Sequence, residues 1–311
     1  MSGPDLPDVS GAWAAAMRRG DWEAAWQATD RLELPRRARQ REPGFERSRA
    51  HLRWDGTPPA GRTVLVRCEH GLGDTLQFMR FLPRLQAAHV HFLVQPSLVG
   101  LLRGVPGLGE VRNYWTDDPL PAHEVDLEVM ELAYAVRATL PCVPPPSLQL
   151  HPATHLDLPD EGRLRVGLVW SCSQWDPSRS VPLPVLAPLF ALEEAQFFSL
   201  QQGDASGDPL LQRLDIEPLS ARTADIRMAA AAMRALDLVI TVDSMAAHLA
   251  GTLGRPTWLL LKHEADWRWM DGRADSPWYP TMRLFRQPRP GDWHAVAQEV
   301  AAALRVFVGW R

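Results

Sequence analysis

The sequence of 311 residues is poor in several residue types, and each shortage excludes a class of protein. Its three cysteines, Cys68, Cys142 and Cys172, are far apart and form no CxxC pair, which argues against a disulfide framework and a zinc–cysteine site. No apolar run approaches the roughly 18 residues that a transmembrane helix needs. The first residues, MSGPDLPDVS, lack the basic-then-apolar pattern of a signal peptide. We therefore expect a cytoplasmic protein without a transmembrane segment.

Positive charge is not in excess. Acidic residues number 37 against 33 basic ones, for a formal net charge of -4, so no global attraction to nucleic acid is expected. Lys262 is the only lysine. Arginines cluster between Arg31 and Arg53, and this run is either a solvated surface or an attraction for an acidic partner. With 46% hydrophobic and 23% charged residues, the composition is that of a globular protein.

Residues 1–60 read as a helical hairpin and a linker. Tryptophans among alanines over residues 10–30 predict two helices, and the segment RRGDWEAAWQATDRL is similar to one tetratricopeptide repeat. One such unit cannot bury its apolar face alone, so we expect it to dock on the rest of the chain, with a possible protein contact through residues 1–60. Residues 35–62 are rich in arginine and proline and are expected to be irregular.

From Thr63 onward, strands alternate with helices, which predicts an α/β fold with mostly parallel sheets. The proline-rich stretch Pro141–Gly162 divides this series into two halves, 61–155 and 156–290, with a cleft expected between them. A last helix in 291–311 is expected to pack toward the N-terminal domain. The predicted strands include Thr63–Arg67, His89–Val94, Leu238–Val242 and Thr257–Leu261, and the predicted helices include Asp74–Ala87 and Glu131–Leu140.

The stretch LVITVDSMAAHLAGTLGRPTWLLL, residues 238–261, predicts a buried strand, a turn, a short helix and a second strand. Asp243 and Ser244 stand at the turn, where the carboxyl end of a strand and the start of a helix favour an anion such as phosphate. His248 lies on that helix. It is interpreted either as a core histidine or as a ligand-binding residue.

The first strand is followed by the glycine-containing turn CEHGLGDTLQF. It lacks the Lys-Ser/Thr of a phosphate-binding P-loop and the third glycine of a dinucleotide fingerprint. Gly71 and Gly73 still allow close approach of a ligand to the backbone. Asp74 is a candidate general base, or alternatively a helix cap.

Two further loops carry polar and aromatic side chains. In WSCSQWDPSRSVPL, Ser171, Ser173 and Arg179 suit phosphate oxygens, although an ordinary polar loop has the same composition. The loop KHEADWRWMDGRADSPWYP contains Trp267 and Trp269, and it is either a recognition lip for a base or sugar, or an aromatic clamp on the last helix.

Metal and hydrolase signals are weak. His89 and His91 share one strand face but have no acidic companion at a suitable sequence spacing, so no metal is expected. A GxSxG motif is absent, which argues against a serine hydrolase of that type.

Five segments together resemble one family. EHGLGDTLQFMRFLP, VGLVWSCSQWDPSRSVPL, LDLVITVDSMAAHLAGTLGRPTWLLL, DWRWM and DSPWYPTMRLFRQ are similar, in this order, to glycosyltransferase family nine, the heptosyltransferase-like enzymes, and most of all to its tetratricopeptide-repeat-associated bacterial branch. The resemblance covers residues 10–306. It implies a GT-B architecture of two Rossmann-like domains, the first for the acceptor and the second for a nucleotide-diphosphate sugar.

The resemblance also implies roles. Asp74 matches the family's general base, and Arg179 matches a basic residue that stabilises the departing diphosphate. The substrates would be a nucleotide sugar and an unidentified acceptor, with neither a cofactor nor a metal. The donor-binding set would be Gly71, Gly73, Ser171, Ser173, Asp243, Ser244, Met245, His248 and Lys262. The acceptor or recognition set would be His70, Gln77, Trp267 and Trp269.

Some positions depart from the family pattern. His70 stands where the family has glutamine, and CSQWDPS replaces an asparagine-rich basic stretch. Two alternatives to an inverting, metal-independent glycosyltransferase therefore stay open. One is a catalytically degenerate protein that binds a nucleotide sugar or serves as a scaffold, and the other is a sugar-nucleotide epimerase.

Overall fold

The computed structural model describes residues 9–40, 54–145, 148 and 154–309. The chain forms two compact units. Of the described residues, the first unit comprises 9–40, 54–144 and 266–272, and the second comprises 145, 148, 154–265 and 273–309. Part of the arginine run, residues 41–53, lies outside the described residues. The first unit is thus built from two separate stretches of chain.

A four-stranded parallel sheet forms the centre of the first unit, in the order β3-β2-β1-β4. β1 is apolar and buried at its three central residues, as expected for a strand covered on both faces. The elements are α1 (Val9–Arg19), α2 (Trp22–Gln40), β1 (Thr63–Arg67), α3 (Leu72–Phe78), β2 (His89–Val94), α4 (Pro96–Leu102), β3 (Glu110–Asn113), β4 (Val125–Glu128) and α5 (Leu132–Ala135).

Two predicted helices of this unit are shorter than expected. The helix predicted over Asp74–Ala87 is α3 followed by a 3₁₀ segment, Met79–Leu85. Pro83 lies in that segment, and because it has no N–H it cannot continue an α-helical ladder. The helix predicted over Glu131–Leu140 ends soon after α5, where Arg137 takes a positive φ of 47°. The predicted strands at β1 and β2 are confirmed.

The N-terminal hairpin docks within the first unit, as its apolar face required. The indole of Trp26 donates to the Ala138 carbonyl at 2.7 Å, and Asp30 accepts from Tyr134 and Arg137. Arg137 holds the pKa of the Asp30 carboxyl below its usual value. α2 runs to Gln40, so the expectation of an irregular chain from residue 35 is wrong up to that point.

Local ion pairs accompany this extension of α2 through its internal proline. Glu33 pairs with Arg36 and Arg37, three and four residues along the helix. The Arg37 guanidinium also lies 4.4 Å from the Trp54 ring centroid. These contacts hold the helical turn around Pro35 close to Trp54.

A six-stranded parallel sheet forms the second unit, in the order β10-β9-β8-β5-β6-β7. All five residues of β8 and of β9 are buried, and both strands lie as the sequence predicted. The elements are β5 (Leu164–Val169), α6 (Ala187–Phe190), β6 (Ala195–Ser199), α7 (Leu210–Arg213), β7 (Ile216–Pro218), α8 (Ile226–Ala235), β8 (Leu238–Val242), α9 (Met245–Thr252), β9 (Thr257–Leu261), β10 (Met282–Arg286) and α10 (Trp293–Val308).

The C-terminal helix α10 packs within the second unit. Its buried residues Trp293, Val300 and Leu304 join the core formed by β5 and β8. The sequence had suggested packing toward the N-terminal domain. The unit boundary at 144/145 also precedes the predicted one at 155/156.

Each sheet has a point where the strand order reverses. In the first sheet the chain proceeds from β1 to β2 and β3, then returns to the other side of β1 as β4. In the second sheet β6 and β7 follow on one side of β5, and β8, β9 and β10 on the other. In open α/β sheets, ligands bind at the carboxyl ends of the strands at such reversals. A ligand site is therefore expected at two places: after β1 and β4 in the first sheet, and after β5 and β8 in the second.

Among the described residues, no helix combines the length and apolarity needed to cross a membrane.

Candidate functional site

Asp74 lies in the first turn of α3, directly after β1. Gly71 precedes the helix, and its N–H donates to Asp74 Oδ2 at 2.9 Å. A Cβ on Gly71 would lie 3.1 Å from the same oxygen, which explains the value of a glycine there. Gly73 is buried beneath the turn. Asp74 thus caps the helix through Oδ2. Its other oxygen, Oδ1, is the one that would accept a proton from a substrate.

That second oxygen is bound by Arg268. The Arg268 guanidinium donates through Nη2 to Asp74 Oδ1, through Nε to Gln77 Oε1 at 2.8 Å and through Nη1 to Asp266 Oδ1 at 2.9 Å. Its carbon also lies 4.6 Å from the Trp267 ring centroid. The side chain is only 11% exposed. A guanidinium held in this way fixes the orientation of the carboxylate that it contacts.

Arg268 was not among the residues assigned from the sequence. It lies 194 positions after Asp74, so no local spacing connects them. The available signal was the DWRWM motif, in which a cation stands between two tryptophans. The pair becomes visible only because residues 266–272 belong to the first unit.

Gln77, assigned to the acceptor set, is fully buried. Its Oε1 accepts from Arg268, while its Nε2 has no hydrogen-bond partner among the described residues. Gln77 therefore supports Arg268 directly.

His70 lies at the reversal between β1 and β4. Its Nδ1 is 2.9 Å from Glu128 Oε1, at the end of β4, and its carbonyl accepts from Gln95 Nε2 at 2.7 Å. The hydrogen bond with Glu128 raises the pKa of His70, and the negative charges of Asp74 and Glu69 act in the same direction. The side chain is 39% exposed. His70 thus offers a group that readily becomes cationic close to Asp74.

The two assigned tryptophans differ in exposure. Trp267 is half-buried, with its ring 5.0 Å from that of Trp13 and 6.5 Å from that of Phe78. Trp269 is fully buried. Both belong to the first unit, where Trp13 of α1 and Phe78 of α3 are neighbours of Trp267. The loop is therefore an aromatic contact for the N-terminal hairpin, whereas the clamp interpretation had placed it on the last helix.

In the second unit, two cations converge on one carboxylate. Lys262, directly after β9, donates to Asp176 Oδ2 at 2.7 Å and to Ser178 Oγ at 3.2 Å. Arg179 Nε lies 3.8 Å from the same Asp176 oxygen. The hydrogen bonds from Lys262 and Ser178 hold the pKa of Asp176 below its usual value. An anionic ligand at this point would compete with Asp176 for both cations.

Asp176 was likewise not assigned from the sequence. The sequence feature that could have identified it is the segment CSQWDPS, which replaces the basic stretch of the family that the chain resembles. An acid in that place neutralises cations that would otherwise face solvent, and it is the difference most relevant to the chemistry of this loop.

Arg179 also reaches the end of β8. Its Nη1 lies 3.9 Å from Oδ2 of Asp243, which is buried. Ser244 is the N-cap residue of α9, and within the described part of the chain its hydroxyl makes no capping bond, lying 3.5 Å from Thr241 Oγ1. Met245 follows as the first helical residue and is half-buried. The loop after β5 and the turn after β8 therefore meet at the reversal of the second sheet.

His248 is buried on α9. Its Nδ1 lies 2.9 Å from the Tyr279 hydroxyl, and a Cβ on Gly251 would lie 2.5 Å from the Tyr279 ring. α9 therefore rests closely on Tyr279. This contact is the one that the core interpretation of His248 predicts.

The two assigned serines lie in the loop after β5 but differ in their surroundings. The N–H of Ser171 donates to Gln201 Oε1 at 2.9 Å, and its hydroxyl lies 3.4 Å from that of Ser180. Ser173 is exposed, and its carbonyl accepts from the Cys172 thiol at 3.5 Å. Ser171 is thus part of the strand end, and Ser173 of the solvent-facing loop.

Comparison with known proteins shows the fold. No family model matches the chain. Protein FlbA of Caulobacter vibrioides is 25% identical over 296 residues, covering 82% of this chain and 48% of FlbA, so the chain spans about half of that relative. The structure of E. coli ADP-heptose lps heptosyltransferase II is similar with a TM-score of 0.58 at 15% identity, covering 79% of this chain and 98% of that one.

A second solved structure is the dodecameric iron-containing heptosyltransferase TibC in complex with ADP-D-beta-D-heptose, from enterotoxigenic E. coli. It is similar with a TM-score of 0.55 at 13% identity, and the match covers 80% of this chain and 78% of the TibC chain. The chain thus has the mixed α/β fold with parallel sheets that is found in heptosyltransferases.

Proposed function

We propose that this chain is an inverting, metal-independent glycosyltransferase that moves a sugar from a nucleotide-diphosphate sugar to an acceptor hydroxyl. One observation carries the proposal. Arg179 and Lys262 converge on Asp176 in the loop after β5, and Arg179 also lies near Asp243 at the end of β8, while a carboxylate, Asp74, stands at the reversal of the first sheet. The heptosyltransferase fold supports it.

The reaction needs little more than these groups. The acceptor oxygen forms a bond to the anomeric carbon as the bond from that carbon to the diphosphate oxygen breaks, which inverts the configuration. Asp74 takes the acceptor proton. The departing diphosphate gains negative charge, which Arg179, Lys262 and the N–H groups at the start of α9 stabilise. In this scheme no metal or other cofactor takes part.

Arg268 has a defined part in this scheme. By donating to Asp74 Oδ1 it orients the base, and it must share that oxygen or release it when the proton is transferred. Gln77 and Asp266 hold the guanidinium in place meanwhile.

Several finer features belong to the same proposal. The two units would act as the acceptor and donor domains of a GT-B enzyme in the cytoplasm, of the tetratricopeptide-associated branch, with residues 1–60 available for a protein contact. The remaining donor residues would be Gly71, Gly73, Ser171, Ser173, Ser244, Met245 and His248, and His70 would face the acceptor. Because TibC was solved with ADP-D-beta-D-heptose, adenine nucleotide sugars are the first donors to try, both hexosyl and heptosyl.

Asp74→Asn tests the base. The amide keeps the size of the side chain but cannot accept the proton, so kcat should fall by about a hundredfold to ten-thousandfold while donor affinity stays nearly unchanged. Turnover with a panel of nucleotide sugars and acceptors is measured beside calorimetric binding of the donor. Asp118→Asn, at an exposed turn of the same unit, is the matched control and should retain activity. Substantial turnover in Asp74→Asn removes Asp74 from this role.

A second candidate, a catalytically degenerate nucleotide-sugar-binding or scaffold protein, is favoured by one observation. Both Asp74 oxygens are engaged by donors, and Asp176 already pairs with Lys262 and lies near Arg179. Donor binding without turnover for every donor and acceptor in the panel would support it. An epimerase, the third possibility, predicts product from the donor alone.

A further inference from the structure

A cluster of two histidines and a glutamate lies at the amino edge of the first sheet. His89 and His91 are two residues apart on β2 and so share a face. Glu110 begins the edge strand β3 and lies opposite His91 in the register of the sheet. His91 Nδ1 is 2.9 Å and His89 Nε2 is 3.7 Å from the same Glu110 oxygen, and the three candidate ligand atoms lie within 4.8 Å of one another.

Two of the three separations are close to those in a metal site. Nitrogen and oxygen ligands about 2.1 Å from a tetrahedral Zn²⁺ are about 3.4 Å apart, and the distances from Glu110 to the two histidines, 2.9 and 3.7 Å, lie on either side of that value. We propose that the chain binds one Zn²⁺ through His89, His91 and Glu110, with water completing the coordination. Imidazole nitrogen and carboxylate oxygen are the donors that this ion takes.

Glu110 is brought to this position by its neighbours. Gly109 has a φ of 74°, and a Cβ there would collide with the Val90 carbonyl, so glycine allows β3 to enter the sheet in this register. Arg112 Nε donates to Glu110 Oε1 at 2.9 Å and so directs Oε2 toward the histidines. Sequence spacing offered no acidic companion because Glu110 reaches His91 only through strand pairing.

The metal would join the edge strand β3 to β2. It lies at the amino ends of these strands, whereas Asp74 follows the carboxyl end of β1. The expected effect is therefore stabilisation of the first sheet, and no step of the proposed reaction runs through it. The inference stands whether or not the proposed function does.

The test is Zn²⁺ titration of the full chain by calorimetry after treatment with a chelator, in a Cys142→Ser background that removes an exposed thiol. We expect one ion per chain and a rise in the melting temperature on adding Zn²⁺. His91→Ala and Glu110→Gln should each weaken binding by about tenfold or more. His294→Ala, an exposed histidine on α10, is the matched control and should bind as the parent does.

Two results would overturn the proposal: no Zn²⁺ binding by the parent chain, or equal affinity in the parent, His91→Ala and Glu110→Gln. Because His91 is half-buried, circular dichroism first checks that His91→Ala is folded. The exposed His89→Gln provides a second variant if it is not.

Discussion

At the scale of single residues, Asp176 already pairs with the cations to which the proposed reaction assigns the diphosphate. It lies 2.7 Å from Lys262 and near Arg179, so in that reaction a diphosphate would have to displace it from both. Asp176→Asn should therefore tighten ADP binding by about tenfold, the equivalent of one charge-assisted hydrogen bond. Calorimetric titration measures this. Asp204→Asn removes an exposed charge elsewhere in the unit and should change little; weaker binding in Asp176→Asn would mean that Asp176 positions the cations.

His70 gives the first unit a pH dependence. Glu128 raises the pKa of His70 above its ordinary 6.5, so the folded state binds the proton more tightly than the unfolded state. The stabilisation is complete below about pH 6.5 and is lost as the pH rises through the raised pKa. His70→Gln should lack it. Urea unfolding at several pH values is the measurement, and a difference between the two proteins that stays constant or grows with pH contradicts the assignment.

Some contacts of the assigned residues follow from local spacing. Gly71 and Asp74 lie three positions apart at a helix start, and their hydrogen bond follows from that spacing. Arg268 and Asp176 were missed because their roles depend on long-range contacts with Asp74 and Lys262. The roles proposed for Asp74 and Arg179 stay predictions.

At the scale of elements, α9 depends on a close contact with Tyr279. A Cβ on Gly251 would lie 2.5 Å from the Tyr279 ring, which is fully buried. Gly251→Ala should therefore destabilise the protein by about 1–3 kcal/mol, measured by chemical denaturation. Gly207→Ala has open space around the new methyl group and should stay within about 0.5 kcal/mol. Equal costs for the two substitutions would show that the ring moves aside freely.

Elements with a continuous apolar pattern were predictable, and those shaped by single residues or by docking were not. β8 and β9 follow directly from their apolar runs. The three-residue strand β7 is too short to leave a periodic signal. α2 passes Pro35 because ion pairs and the contact of Arg37 with Trp54 support it, which its own sequence does not reveal.

At the scale of the whole molecule, stability of the first unit depends on residues late in the chain. Trp269 is fully buried within that unit, so Trp269→Ala should cost about 3–5 kcal/mol there. Hydrogen exchange should accelerate in β1 and β2 more than in β8. Trp293→Ala, in the core of the second unit, should show the opposite pattern. Faster exchange confined to β8 in Trp269→Ala would contradict the division into units.

Because the first unit is built from two separate stretches of chain, a recombination event between related genes can divide it. A single crossover near residue 145 that replaced the downstream half with that of a relative would also exchange residues 266–272. Arg268 would leave with them, although its contacts with Asp74 and Gln77 belong to the half that stayed. A chimaera that keeps all residues of the first unit together has junctions at 144/145, 265/266 and 272/273, so one crossover does not exchange a whole unit.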